Sequence, residues 1–207
     1  MPDVHVPKVD AAKGKSLLKL ALEVAMLGIG VFLGLAGEQW REHRSHHESA
    51  QAALRRFRTE VANNRNAIAA VKDYHVTMRE RIDRYLAATG QDRESLRVHL
   101  QGIQPAFPER TAWELALATQ SLTYIDEHLA FALSRAYSTQ QQYNELTRDL
   151  LQAMYVRPPN ENETVFLGAV AIYYGDIVLL EPKLIELYDS VGAEIDRALG
   201  IPRNGQQ

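Results

Sequence analysis

From Ser16 through Gly37 the chain carries only two charges, Lys19 and Glu23, and from Val24 to Gly37 it carries none. A helix rising 1.5 Å per residue needs about 20 such residues to cross the hydrocarbon of a bilayer, and this segment supplies them. Lys19 stands one helical turn before Glu23, so the two can pair near one boundary instead of being isolated at the midplane. At the other boundary Trp40 lies between Glu38 and Arg41, an interfacial aromatic beside charges. Three readings compete: a permanent anchor, a secretory signal cleaved after the small residues around Gly34-Leu35-Ala36, and a buried helix of a soluble protein. The anchor is preferred, because the helical pattern does not stop where cleavage would fall.

That pattern is a stripe. Ala50, Leu54, Phe57, Val61, Asn64, Ile68, Val71, His75, Met78, Ile82 and Tyr85 follow one another in alternating steps of four and three, the spacing of a coiled-coil seam. Only Asn64 and His75 are polar. In the same register, His47, His43, Trp40, Ala36, Leu33, Ile29, Met26 and Leu22 carry the stripe back into the apolar segment. The sequence therefore predicts one helix from about Ser16 to Ala88, on the order of 110 Å long, with Gly90 as its C-cap. Leu54, Phe57, Val61, Asn64 and Ile68 become the expected interface seam with a second copy, Asn64 either fixing register there or marking a hydrated turn.

Downstream, Asp92 can cap a short helix over 93–100, and 104–110, with Pro105 and Pro108, reads as a linker loop. Thr111 and Glu114 form a capping box opening a helix over 112–121. Thr123 or Asp126 opens a helix over 126–156. Asn160 can cap a last one over 161–199, with a kink or break required at Pro182 because its ring removes a backbone donor. No run alternates with period two. The expected architecture is all-α: a basic arm over 1–15, a transmembrane helix over 16–37, a helical bundle over 38–200 beginning with a long helix to 88, and a tail over 201–207. Thr164 to Leu180 is apolar around its circumference except at Asp176. A core helix is preferred over a second span because the length is marginal and Gly175 and Asp176 interrupt it.

Glu23-Val24, Ile29-Gly30-Val31, Leu33-Gly34-Leu35 and Trp40-Arg41-Glu42 together resemble the anchor of an uncharacterised bacterial family of single-pass membrane proteins. That family's pattern is an acid, an Ile-Gly pair and a Trp-x-Glu exit followed by a basic helix. Thr111-Ala112-Trp113-Glu114-Leu115, Ile125-Asp126, Leu129 and Tyr137 resemble its second recurring patch. The similarity covers about half the chain, and Gly37-Glu38 stands where polar amides or Asp are common. It implies a bacterial inner-membrane location and a helical domain, leaning towards a domain outside the cytoplasm, and brings no activity with it. Charge leaves orientation open, since Lys8, Lys13, Lys15 and Lys19 before the span balance Arg41, Arg44, Arg55 and Arg56 after it.

Few residues suggest chemistry. A net charge of -3, from 23 basic and 26 acidic residues, speaks against nucleic acid, and the absence of cysteine excludes thiol nucleophiles and thiolate metal sites. His43, His46 and His47 have a spacing that could offer imidazoles to a metal, but hydrated juxtamembrane histidines are the simpler reading, and no metal or cofactor is expected. Gly30, Gly34 and Gly37 give the small-residue spacing at which spanning helices pack; pairing of two copies is the functional reading, set against glycines that merely face lipid or their own bundle, and the lipid bilayer is the other expected partner. Asp176, beside Tyr173 and Tyr174, could be a buried acid, though a hydrogen-bonded one is the simpler account. Gly14-Lys15-Ser16 lacks the first glycine of a phosphate loop, and no nucleophile elbow or zincin pair occurs. The expectation is a membrane-anchored, non-enzymatic interaction or scaffold module. The alternative is a tethered sensor whose helices enclose an apolar pocket near Trp113, Tyr137 and Tyr173.

Overall fold

The computed structural model describes residues 11–96, 103–158, 160 and 162–202, with the side chains of 11–21 excepted. The described residues contain helices and no strand: α1 (Ala11–Ala87), α2 (Gly90–Ser95), α3 (Thr111–Ala118), a 3-10 turn (Ser121–Tyr124), α4 (Glu127–Tyr155) and α5 (Glu163–Ala198). The chain is an all-α helical bundle. It divides into two compact units, residues 1–48 and 49–207. The first ten residues of the expected basic arm lie outside the described residues, but the helix has already begun at Ala11, ahead of Ser16. It ends at Ala87, and Gly90 takes the left-handed conformation (φ +57°) three residues later, where it opens α2. Part of the short helix expected over 93–100 lies outside the described residues; the described α2 starts earlier, at Gly90.

The second unit is built on three long helices whose directions follow from their contacts. Arg58 meets Asp196, Arg65 meets Asp189 and His75 meets Glu181, so α5 runs antiparallel to α1. Glu60 meets Tyr137 and Asn64 meets Gln140, so α4 runs parallel to α1. Two parallel neighbours cannot be joined by a tight turn. The chain therefore has to come back along the bundle between them, and residues 103–116 do this. Ile103 lies at the level of His75, Glu109 at Asn64 and Ala112 at Glu60.

The apolar interior follows the heptad stripe. Phe57, Ile68 and Ile82 on α1, Leu133 and Tyr143 on α4, and Ile177, Leu184 and Ile195 on α5 are wholly buried. Each such side chain contributes about 1.5–3 kcal/mol relative to exposure. This settles the fate of the expected interface seam. Leu54, Phe57, Val61, Asn64 and Ile68 are all buried inside the chain's own bundle and present nothing to a second copy. A heptad stripe records only that one helix face is covered by other helices, and here those helices come from the same chain.

Other boundaries shift for identifiable reasons. Asp126 caps α4 as expected, accepting from the backbone N–H groups of His128 and Leu129 at 3.0 and 3.2 Å. The cap of α5 is Asn162 and not Asn160, its side chain accepting from Thr164 N–H at 2.8 Å. α5 runs unbroken through Pro182, so of the kink or break expected there the break does not occur. One lost backbone bond is outweighed where apolar residues on both sides of the proline, Ile177 and Leu184, are locked in the core.

α5 has two apolar faces of different fate. Its inner residues fill the core, whereas Val165, Ile172 and Leu179 are exposed, and so is Asp176, which is not the buried acid considered from the sequence. By length and composition α5 could cross a membrane, as could the leading part of α1, but α5 is built into the bundle along its inner face. Gly175 serves a close approach: the Arg79 guanidinium lies where its Cβ would be and donates to the Ala171 carbonyl. Alanine at this position would have to displace that arginine.

Candidate functional site

The returning segment is the most densely bonded feature of the bundle. Its residues alternate between buried Ile103, Ala106 and Pro108 and exposed Gln104 and Phe107, so its backbone polar groups lie in a partly dry environment and need partners. Side chains from α1 and α4 supply them. Asn64 on α1 offers both ends of its amide to one residue: Oδ1 accepts from Glu109 N–H at 2.7 Å and Nδ2 donates to Glu109 C=O at 2.6 Å. The amide thus does for Glu109 what a neighbouring strand's backbone would do. Gln140 on α4 donates to the carbonyls of Pro108 and Glu109 at 3.1 and 2.8 Å, and its own Oε1 accepts from Tyr188 Oη at 2.8 Å.

Glu60 closes one end of this strap. Its Oε2 accepts from Ala112 N–H at 2.7 Å and its Oε1 from Tyr137 Oη at 2.6 Å. The N-terminus of α3 is therefore capped from another helix, and the capping box expected from Thr111 and Glu114 does not form. Arg110 occupies the N-cap position without a side-chain cap, and Glu114 pairs instead with Arg110 at 3.0 Å. A carboxylate at a helix N-terminus also meets the positive end of the helix dipole, so Glu60 serves both terms at once.

His75 closes the other end. Its Nε2 donates to the carbonyls of Ile103 and Gln104, each at 3.1 Å, and its Nδ1 faces Glu181 Oε1 at 2.6 Å, both side chains fully buried. Both ring nitrogens thus face acceptors. One proton must occupy the line between Nδ1 and Oε1, whichever atom formally carries it. Tyr143 Oη donates to the same carboxylate oxygen at 3.3 Å, while Glu181 Oε2 is buried without a hydrogen-bond partner. Gln104, next to this clamp, adopts a positive φ of 41°, a conformation uncommon for a residue with a side chain. The tyrosines of the network remain neutral donors. Burial pushes the phenol of Tyr137 well above its ordinary value, reinforced by Glu60; burial does the same for Tyr143, reinforced by Glu181, and for Tyr188.

The aromatic residues considered for a ligand pocket are spent on packing. Trp113 stacks on Tyr137 with ring centres 5.2 Å apart, and Phe57 lies against both. Tyr173 is buried elsewhere, its hydroxyl 3.3 Å from that of Thr147. The structure does not bring Trp113, Tyr137 and Tyr173 together around one opening.

In the first unit, every residue from Leu22 to Arg44 whose exposure is described presents its side chain outward. Leu22, Met26, Leu27, Ile29, Phe32 and Leu33 have about the exposure of an isolated helix, between 59% and 71%. Beside Gly30, Gly34 and Gly37 no atom lies within 4 Å of an added Cβ, so that face is open. Beyond Gly37 the helix changes character. Arg41 pairs with Glu38 at 2.7 Å, Arg44 with Glu48 at 3.0 Å, and the Arg44 guanidinium sits 5.9 Å from the Trp40 ring centre. Such self-paired, exposed charges belong to a hydrated helix. His46 faces Glu42 at 3.9 Å, and among the described residues no three His, Asp or Glu side chains converge, so His43, His46 and His47 are not gathered into a metal shell.

Scanned against protein-family models, curated proteins and solved structures, the chain matches none.

Proposed function

We propose that this protein is a single-pass membrane protein whose first apolar helix anchors a self-contained helical bundle, and that the bundle serves as an interaction module and not as an enzyme. The observation carrying this reading is the contrast between the two units. The bundle covers its own apolar stripe, whereas the run from Leu22 to Leu35 has no cover among the described residues. An uncovered apolar cylinder of this length is unstable in water and stable in hydrocarbon, at about 25 cal/mol for each Å² removed from water. Trp40 with Arg41 and Arg44 then fits the interfacial zone. A bacterial inner-membrane location with the bundle outside the cytoplasm is the orientation we propose, and pairing of two copies through Gly30 and Gly34 is favoured by their open, glycine-lined face.

The absence of catalysis is proposed from the character of the buried polar groups. Glu60, Asn64, His75 and Gln140 direct their hydrogen bonds to the strap, to one another and to buried tyrosines, and Glu181 is enclosed in the core against His75 and Tyr143. A catalytic constellation would leave an acid, base or nucleophile facing a space that substrate could enter. Alkaline carbonate extraction of membranes carrying the full-length chain tests the anchoring. The protein is expected to stay in the pellet at its full mass; recovery in the supernatant would overturn the proposal.

A further inference from the structure

Resting on the reading of the bundle as an interaction module, we propose that the groove between α4 and α5 is a docking site for a basic amphipathic helical segment of a partner protein. The groove has a volume of about 510 Å³ and a floor of Leu146, Leu179 and Leu180. Its rim carries Glu145 and Asp149 from α4 and Asp176 from α5. Glu145 and Asp149 stand four residues apart, on the same face of α4 as Leu146. Glu145 accepts only the neutral amide of Gln141, at 2.9 Å, and none of the three carboxylates forms an ion pair among the described residues.

Along the groove between α1 and α5, by contrast, each acid is matched: Asp196 by Arg58 and Asp189 by Arg65. At the α4–α5 groove the three rim carboxylates have no ion-pair partner among the described residues, Leu146 and Leu180 are half-buried, and Leu179 is 75% exposed, with Ile172 and Val165 extending the apolar line along α5. An apolar strip between carboxylates is complementary to a helix carrying a leucine-like face flanked by Lys or Arg. The same rim disfavours an anionic lipid surface, which would bring like charge against Glu145, Asp149 and Asp176.

The test uses full-length protein in nanodiscs of zwitterionic lipid and a dye-labelled Leu/Lys amphipathic peptide of about 18 residues, five helical turns. Binding is read by fluorescence anisotropy against empty nanodiscs. The wild type is expected to bind more peptide than empty discs do. The triple variant E145Q/D149N/D176N is expected to bind on the order of tenfold more weakly, three rim pairs being lost. Raising salt from about 0.05 to about 0.5 M should weaken the wild type and leave the variant nearly unchanged. Equal affinity of wild type and triple variant, equal binding of a Leu/Glu peptide of the same pattern, or no binding beyond that of empty discs overturns the proposal. Because the nanodisc-embedded chain is retained in each case, failure here is separable from failure of the anchoring, which carbonate extraction reads.

Discussion

Replacing His75 by Leu is expected to destabilise the bundle by about 3–5 kcal/mol, the range for removing one partner of a buried, hydrogen-bonded acid–base pair and leaving the other unmatched. The substitution leaves Glu181, fully buried, with Tyr143 as its remaining donor, and leaves the Ile103 and Gln104 carbonyls without the Nε2–H that now serves both. Glu181→Gln should cost much less, under about 2 kcal/mol, because its amide can still donate to Nδ1 while Nε2–H keeps the strap. The two variants therefore separate the role of the hydrogen bonds from that of the charges. Urea unfolding of the full-length chain in nanodiscs, followed by helical ellipticity, measures both. Equal losses in the two variants would mean that charge, and not the strap's hydrogen bonding, is what the pair contributes.

The second large effect is alkaline. Tyr137, Tyr143 and Tyr188 are held as neutral phenols by burial, with Glu60 and Glu181 adding to the effect, so their folded-state values lie well above the 10.0 of a free phenol. Above that pH the unfolded chain releases these protons and the folded chain keeps them. The tyrosines' contribution to stability is accordingly level below about pH 10 and falls above it by about 1.4 kcal/mol per pH unit for each tyrosine. Three tyrosines together give roughly 4 kcal/mol per unit, so one to two pH units remove as much as the whole stability of an ordinary domain. The expected result is a steep loss of bundle helicity coinciding with a step in phenolate absorbance. Full appearance of these phenolates while the ellipticity stays intact would contradict the packing described for the three residues.

How far the sequence reveals this fold depends on which interaction is asked about. The alternation of four and three from Ala50 to Tyr85 locates the buried face of α1, because helix periodicity and burial are the same physical fact. It does not say who covers that face, and the seam expected between two copies is filled by α4, α5 and the strap of one chain. Asn64 and His75 were visible as the polar exceptions on the stripe. A buried polar group must have a partner, but here the partners are backbone groups of Glu109, Ile103 and Gln104 in a segment whose prolines erase any periodicity. Glu60 was not visible at all, since it stands beside the stripe among other charged residues and acquires its role only when α3 docks against it. Pro182 shows the converse, a strong local signal overridden by packing on either side. The acid at the heart of α5 is Glu181 and not Asp176. Both precede or follow apolar residues, and only the rotation of the helix in the bundle distinguishes them.

The central claim, that residues 24–37 lie in hydrocarbon, can be measured directly because the chain has no native cysteine. Single cysteines at Val24, Leu27, Val31 and Leu35, and others at Arg44 and Glu48, are to be exposed to a water-soluble maleimide in permeabilised membrane vesicles. The account predicts that the first four remain unlabelled until detergent is added and that positions 44 and 48 react at once. Prompt labelling throughout 24–35 would contradict it.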